Sequence, residues 1–153
     1  MFISGEKAAY SLEELQKNSI TLVINVAADY FNNRFPGSVE YLSYFCKDSQ
    51  KENIESLFYP CIEKIQEHIE NKGGALVHCV RGVSRSASII LAYLILTRKM
   101  SYQDAEKLLR TKRPQASPNN GFMLQLINFD RRVNSRYEGQ PFRPKVFGIG
   151  SYQ

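Results

Sequence analysis

The segment VHCVRGVSRSA, residues 77–87, concentrates side chains that could do chemistry at a point where a strand turns into a helix. The reactive and polar residues fall within nine positions and are His78, Cys79, Gly82, Arg85 and Ser86. Loop N–H groups, together with the unpaired N–H groups and positive dipole end of the helix, can form a cradle for a tetrahedral anion. Gly82 permits the tight backbone path that such a cradle needs. Arg85 supplies a planar fork for two anion oxygens.

The same surroundings act on the cysteine. A thiolate at a helix N-terminus beside an arginine is favoured over the thiol, so Cys79 is predicted to be a nucleophile at neutral pH. A nucleophile at the bottom of a phosphate cradle indicates transfer of a phosphoryl group to sulfur. The alternative interpretation makes Cys79 a buried core cysteine and Arg85 a surface charge, and the complete pattern in a strand–loop–helix context argues against it.

The composition sets broader limits. The chain has 153 residues, 43% apolar and 23% charged, which is typical of one folded domain. A net charge of +5 indicates either a mild preference for anionic partners or a well-solvated surface. The sequence shows no RNA-binding pattern and no signal peptide. It also has no apolar run of the roughly 20 residues that a membrane span needs. We therefore expect no nucleic-acid partner, no membrane partner and a cytoplasmic location, with the nucleus left open. The three cysteines are few and odd in number, and no secretory signal is visible, so we expect no disulfide framework. No pair of cysteines or histidines has metal-ligand spacing matched by a second pair, so we expect no metal site.

Strands and helices alternate along the chain. Strands are predicted in FIS (residues 2–4, as a short edge strand), ITLVINVA (20–27), VEYLSYF (39–45) and ALVHCV (75–80). Five helices are predicted: in SLEELQKN, from Ile54 to Gly73, from Ser86 to Lys99, after Ser101, and from about Pro118. Ser11 and Glu14 form a capping box for the first of them, and Ser101 and Asp104 are the caps of the fourth. This order predicts an α/β fold in a single domain, with a central, mostly parallel mixed sheet flanked by helices. Residues 137–153 have no periodicity and are predicted to be an irregular tail or linker.

Several segments resemble the cysteine-dependent protein phosphatases. HCVRGVSRS resembles their signature, and GVSRSASIILAYL, RPQASPNNGFMLQL and ITLVINVA are similar to the dual-specificity branch, most of all to MAP kinase phosphatases. The resemblance covers roughly residues 2–133 and implies a catalytic domain at residues 1–136, with a phosphate-binding loop between a strand and a core helix. It implies a catalytic thiolate at Cys79, a hydroxyl at Ser86 that eases departure of the thiolate, and a loop-orienting, thiol-tuning role for His78. Phosphate binding is implied for Val80, Arg81, Gly82, Val83, Ser84 and Arg85.

The leaving oxygen also needs a proton donor, which should lie on a loop that faces the cradle. Asp48 and Asp29 both follow predicted strands. Asp48 is favoured, because YFCKDSQKENI resembles the acid-bearing loop of dual-specificity phosphatases. Asp48, or Ser49 with Glu52, could instead cap the following helix, and the two roles can also coexist. No metal or cofactor is required, since Arg85 and the backbone dipoles supply the electrostatic stabilisation.

Three further assignments stay open at this point. Asn119 matches the family's "PN" position and either buttresses the phosphate loop or caps a helix. Arg81 either favours acidic or doubly phosphorylated substrates or is simply solvated. Cys46 or Cys61 either forms a reversible disulfide with Cys79 or is an ordinary core cysteine.

The predicted function is hydrolysis of phosphotyrosine and of phosphoserine or phosphothreonine in proteins, through a phosphocysteine intermediate. The resemblance suggests MAP kinases as the phosphorylated partner. Two alternatives are a phosphatase of the same fold that acts on phosphoinositide, glucan or RNA 5′-triphosphate, and a phosphoprotein-binding scaffold without turnover.

Overall fold

A central sheet of parallel strands organises the molecule. The computed structural model describes residues 1–135 and the backbone of residues 150–151. The strands are β1 (Phe2–Ser4), β2 (Ile20–Asn25), β3 (Glu40–Ser43), β4 (Gly74–His78) and β5 (Gly150–Ser151), in the spatial order β3-β2-β4-β1-β5. Every strand pairing among these residues is parallel. The predicted α/β fold is therefore confirmed, and no antiparallel pair of a mixed sheet is seen in the described part of the chain.

Two expectations about the sheet need revision. β1 was predicted to be an edge strand, but it lies between β4 and β5 and pairs with both. The reason lies far along the chain, because Gly150–Ser151 supplies the outer strand. These two residues fall within the segment predicted to be an irregular tail, and the rest of that prediction, at residues 137–149 and 152–153, lies outside the described residues.

Six helices and one 3-10 turn pack around the sheet in the described residues. They are α1 (Glu6–Ala9), α2 (Leu12–Lys17), the 3-10 turn (Ile54–Leu57), α3 (Phe58–Glu70), α4 (Arg85–Arg98), α5 (Tyr102–Lys112) and α6 (Asn120–Asn134). The predicted N-caps are confirmed, since Ser11 accepts a hydrogen bond from the Glu14 amide and Ser101 from the Asp104 amide, while the Ser11 amide donates to the Ala8 carbonyl. The helix predicted from Ile54 begins as a 3-10 turn, and Pro60 lies in the first turn of α3, where its missing N–H is tolerated.

The central helix α4 anchors the larger of two apolar cores. Eleven of its residues are buried, so no face of it is left for solvent along most of its length. It packs against α3, α5 and α6, and Phe58 of α3 meets Phe129 of α6 edge to face at 5.1 Å between ring centroids. A smaller apolar cluster contains Leu15, Val23 and Leu76. Because α4 is held on nearly every side, the loop at its N-terminus has a rigid support. In the described residues no helix has both the length and the apolar character to cross a membrane.

Candidate active site

The loop between β4 and α4 wraps around the sulfur of Cys79. Cys79 follows the last residue of β4 and is 2% exposed. The Gly82 amide donates to Cys79 Sγ at 3.2 Å, and Ser86 Oγ lies 3.3 Å from the same sulfur. Gly82 has φ +64°, and a Cβ added there would overlap the guanidinium of Arg113 and the backbone of Ser4. The loop therefore needs glycine at this position both for its left-handed conformation and for lack of space.

Arg85, the first residue of α4, brings a buried positive charge to the cradle. Its side chain is 5% exposed, and Nη1 donates to the Cys46 carbonyl at 2.9 Å. Nε has no hydrogen-bond partner among the described residues and lies 4.0 Å from Asp48 Oδ2. The guanidinium carbon is 5.8 Å from the ring centroid of Tyr30. A buried N–H without an acceptor is costly, so this donor is set up for an anion oxygen.

The structure brings Asp48 to the rim of the same cradle. Asp48 Oδ1 accepts hydrogen bonds from Ser84 Oγ at 2.7 Å and from Asn119 Nδ2 at 2.9 Å, and the side chain is 40% exposed. Asp29 is exposed, and no hydrogen bond ties it to the loop in the part of the chain that is described. Of the two candidate carboxylates, Asp48 is therefore the one that the structure places beside the loop.

The helix cap predicted for Asp48, or for Ser49 with Glu52, is wrong. Ser49 Oγ accepts from the Lys51 amide, and Glu52 Oε2 accepts from the Lys47 amide, so these side chains close a turn around Asp48. The following 3-10 turn has Asn53 at its N-cap, without a side-chain cap. Ser49 and Glu52 therefore stabilise a turn and not a helix start. Turns and helix starts use the same types of side chain to bind backbone N–H groups.

Asn119 performs both of the roles that the sequence left open. Its Oδ1 accepts from the Phe122 amide at 3.0 Å and caps α6, while its Nδ2 holds Asp48 and its backbone amide donates to Ser84 Oγ at 3.0 Å. The start of α6 approaches the Asp48 loop so closely that a Cβ on Gly121 would overlap the Gln50 backbone. One residue therefore connects a helix start, the acid-bearing loop and the cradle.

His78 and Arg81 occupy opposite environments. His78 is buried at the end of β4, and burial lowers its pKa to about 4, so the imidazole is neutral at pH 7. Its Nδ1 has no hydrogen-bond partner among the described residues. The role of His78 in tuning the thiol stays a prediction. Arg81 is exposed on the outside of the loop, and both interpretations of it remain open.

The other two cysteines are buried, free thiols. All three cysteines are free, and burial raises the pKa of Cys46 and of Cys61 to about 12 each, so both are protonated thiols. Cys46 contributes its carbonyl to Arg85. Disulfide formation with Cys79 stays a prediction. Among the described residues, no group of three or more His, Cys, Asp or Glu side chains is arranged to hold a metal ion.

Sequence reasoning missed Arg113. Its guanidinium is buried and donates from Nε to the Gly82 carbonyl at 2.6 Å and from Nη2 to the Arg81 carbonyl at 3.0 Å. The only sequence signal was an arginine directly before Pro114, which is also an ordinary way to end a helix. Its contact with the cradle depends on how α5 packs beside the loop.

The comparisons with known proteins agree with this geometry. Residues 1–132 match the family model described as dual specificity phosphatase, catalytic domain. The chain is 37% identical over 139 residues to dual specificity protein phosphatase PHS1 of Arabidopsis thaliana, which covers 89% of this chain and 15% of that protein. It is 36% identical over 133 residues to human dual specificity protein phosphatase 21, covering 87% of this chain and 70% of that protein.

Solved structures show the same fold. Human DUSP28 superimposes with a TM-score of 0.83 at 29% identity, covering 88% of this chain and 94% of that one. The human tyrosine phosphatase-like serine/threonine/tyrosine-interacting protein superimposes with a TM-score of 0.81 at 31% identity, covering 85% and 90%.

Proposed function

Because the chain belongs to the dual specificity phosphatase family, we propose that it hydrolyses phosphate monoesters on phosphotyrosine and on phosphoserine or phosphothreonine of proteins. The observation that carries the proposal is the buried Nε donor of Arg85 at the start of α4, next to the loop that directs the Gly82 N–H at the sulfur of Cys79. A dianionic phosphoryl group bound at the loop would satisfy this donor.

In the first step the Cys79 thiolate attacks phosphorus, so that a P–S bond forms while the P–O bond to the substrate side chain breaks. Loop amides and Arg85 stabilise the charge on the non-bridging oxygens. The leaving oxygen takes a proton from Asp48. Ser84 and Asn119 occupy Oδ1 of that carboxyl group, which leaves Oδ2 to carry the proton.

In the second step a water molecule attacks the phosphocysteine. Asp48, now a carboxylate, takes a proton from this water, a new P–O bond forms, and the P–S bond breaks. Ser86 Oγ, 3.3 Å from the sulfur, donates a hydrogen bond to the departing thiolate. The products are the free hydroxyl side chain and inorganic phosphate, and the thiolate is ready for another cycle.

MAP kinases are the substrate class that we propose, on the resemblance to MAP kinase phosphatases. The chain covers 33% of the Drosophila melanogaster relative dual specificity protein phosphatase Mpk3, at 34% identity. Doubly phosphorylated activation-loop peptides are therefore the first substrates to test, beside a phosphoinositide, a phosphorylated glucan and an RNA 5′-triphosphate. Faster turnover of one of the last three would replace the protein substrate in this proposal.

Hydrolysis of para-nitrophenyl phosphate tests the chemistry itself. Cys79→Ser should abolish turnover, because a hydroxyl is a far weaker nucleophile at neutral pH than a thiolate. Cys61→Ser is the matched control, since it makes the same change at a buried cysteine outside the loop and should leave turnover intact. Normal turnover by the Cys79→Ser protein would refute the mechanism. Tight phosphopeptide binding by the wild-type protein without any turnover would instead favour the scaffold alternative.

A further inference from the structure

We infer that Arg113 is a positioning residue. It binds backbone carbonyls of the loop between β4 and α4, and it thereby turns the N–H groups of that loop toward the phosphate. The inference rests on the proposed function, because it concerns how the same loop binds its anion. Arg113 caps the C-terminal end of α5 and is 5% exposed. Its planar fork donates to two consecutive carbonyls, those of Arg81 and Gly82.

The direction of these carbonyls sets the direction of the amides. In a trans peptide the C=O and the following N–H point to opposite sides, and no described peptide bond is cis. The Arg81 carbonyl and the Gly82 amide belong to one peptide unit: the carbonyl faces Arg113 and the amide faces Cys79 Sγ at 3.2 Å. The Gly82 carbonyl also faces Arg113, which turns the Val83 amide away from Arg113.

The remaining carbonyls of the loop are held by backbone donors. Val80 O accepts from the Glu6 amide at 3.3 Å, Val83 O from the Ser117 amide at 2.8 Å, and Ser84 O from the Ser88 amide at 2.9 Å. Every peptide from Val80 to Ser84 thus has its carbonyl bound outside the cradle. The two peptides in the middle of the loop depend on one side chain, and Gly82, the residue with positive φ, lies between them.

Arg113 also brings a second buried cation to the loop that contains Gly82, whose amide contacts the sulfur. Burial lowers the pKa of the Arg113 guanidinium, whereas attraction to the Cys79 thiolate raises it, so the two charges act on each other. The geometry therefore predicts two separable effects of Arg113: its fork orients the amides, and its charge favours the thiolate.

Three substitutions separate these effects. Arg113→Met removes fork and charge, Arg113→Lys keeps the charge but removes the fork, and Lys112→Met removes an exposed charge from the adjacent position as the matched control. Each protein is assayed for kcat and KM with para-nitrophenyl phosphate, for inhibition by orthovanadate and for the pH midpoint of inactivation by iodoacetate. Thermal melting establishes that each variant is folded.

Arg113→Met should weaken vanadate inhibition and lower kcat/KM on the order of 10²-fold, because misplacing catalytic groups by about 1 Å has an effect of that size. Its inactivation midpoint should move to higher pH. Arg113→Lys should lose vanadate affinity by at least tenfold with a smaller change of midpoint. Lys112→Met should match the wild type in all of these measurements.

A purely structural role would lower the melting temperature and leave the other measurements unchanged in the folded protein. The inference would be overturned if folded Arg113→Met had the same vanadate inhibition and the same inactivation midpoint as the wild type. If Arg113→Met does not fold, vanadate inhibition of Arg113→Lys equal to that of the wild type would overturn it. Failure of the wild-type protein to hydrolyse any phosphate monoester would overturn the proposed function instead, while the iodoacetate midpoint would still report on Arg113.

Discussion

Replacing Gly82 by alanine is the sharpest single test of the cradle. The new Cβ meets backbone atoms of Ser4 and Gly5 and the Arg113 guanidinium, so the loop has to shift. A left-handed conformation costs a residue with a side chain roughly 1–2 kcal/mol. For a chain of this size we expect a fall in melting temperature of about 2–8 °C from that strain.

Activity should fall much further than stability. A shift of the loop moves the Gly82 amide away from Cys79 Sγ, which it now contacts at 3.2 Å. Removing one oxyanion donor from an enzyme lowers kcat by about 10²–10³-fold, and we expect a loss of that order in Gly82→Ala. Initial rates with para-nitrophenyl phosphate, measured well below the melting temperature, give the value.

Gly37→Ala is the control for this substitution. No atom lies within 4 Å of the Cβ position at Gly37, and its φ is not positive, so stability should change by less than about 0.5 kcal/mol and activity should stay at the wild-type level. A folded Gly82→Ala protein with activity within a factor of about two of the wild type would refute the argument that this amide must stay in place, since an effect of 10²-fold is expected.

Three more predictions follow from the same site. Asp48→Asn should lower kcat roughly 10²–10⁴-fold for phenyl phosphate but much less for para-nitrophenyl phosphate, whose leaving oxygen needs less help from an acid; equal losses would contradict the acid role. The pKa of His78 is about 4 in the folded protein and about 6.5 in the unfolded chain, so the unfolded chain binds more protons between these two pH values. The free energy of unfolding should therefore decrease by about 3 kcal/mol as the pH falls from 6.5 to 4. Urea unfolding across that range checks it, and the same slope in His78→Gln would argue against His78 as the source. Asn119→Ser should keep the α6 cap, and with it stability within about 1 kcal/mol, yet lower activity by releasing Asp48, whereas Asn119→Ala should lose both; thermal melts and initial rates separate the two effects.

Features that depend on neighbours along the chain could be predicted from the sequence. The capping partners of Ser11 and Ser101 lie three residues away, and the burial of α4 follows from its apolar composition on all sides. The path from β4 through the loop into α4 was predictable for the same reason, because its turn depends on a glycine and a helix start within a few residues. The Ser49 and Glu52 pattern was misleading, because a turn and a helix start use the same side-chain hydrogen bonds.

Features that depend on packing could not be predicted in this way. The position of β1 between two strands depends on a strand almost 150 residues later along the sequence. The dual role of Asn119 requires the start of α6 to meet the Asp48 loop, and no local pattern encodes that meeting.

The sequence by itself determined which residues can do the chemistry: a cysteine, a glycine and an arginine at a strand–helix junction, whose spacing is typical of an anion cradle. Only the tertiary structure decided what holds that cradle in its working shape. Arg113, Ser117 and Glu6 reach the loop from separate elements, and their hydrogen bonds form only where burial of the apolar faces of those elements brings them within about 3 Å. The physical reason is that a hydrogen bond acts over one atomic contact, whereas the packing that creates the contact involves the whole domain.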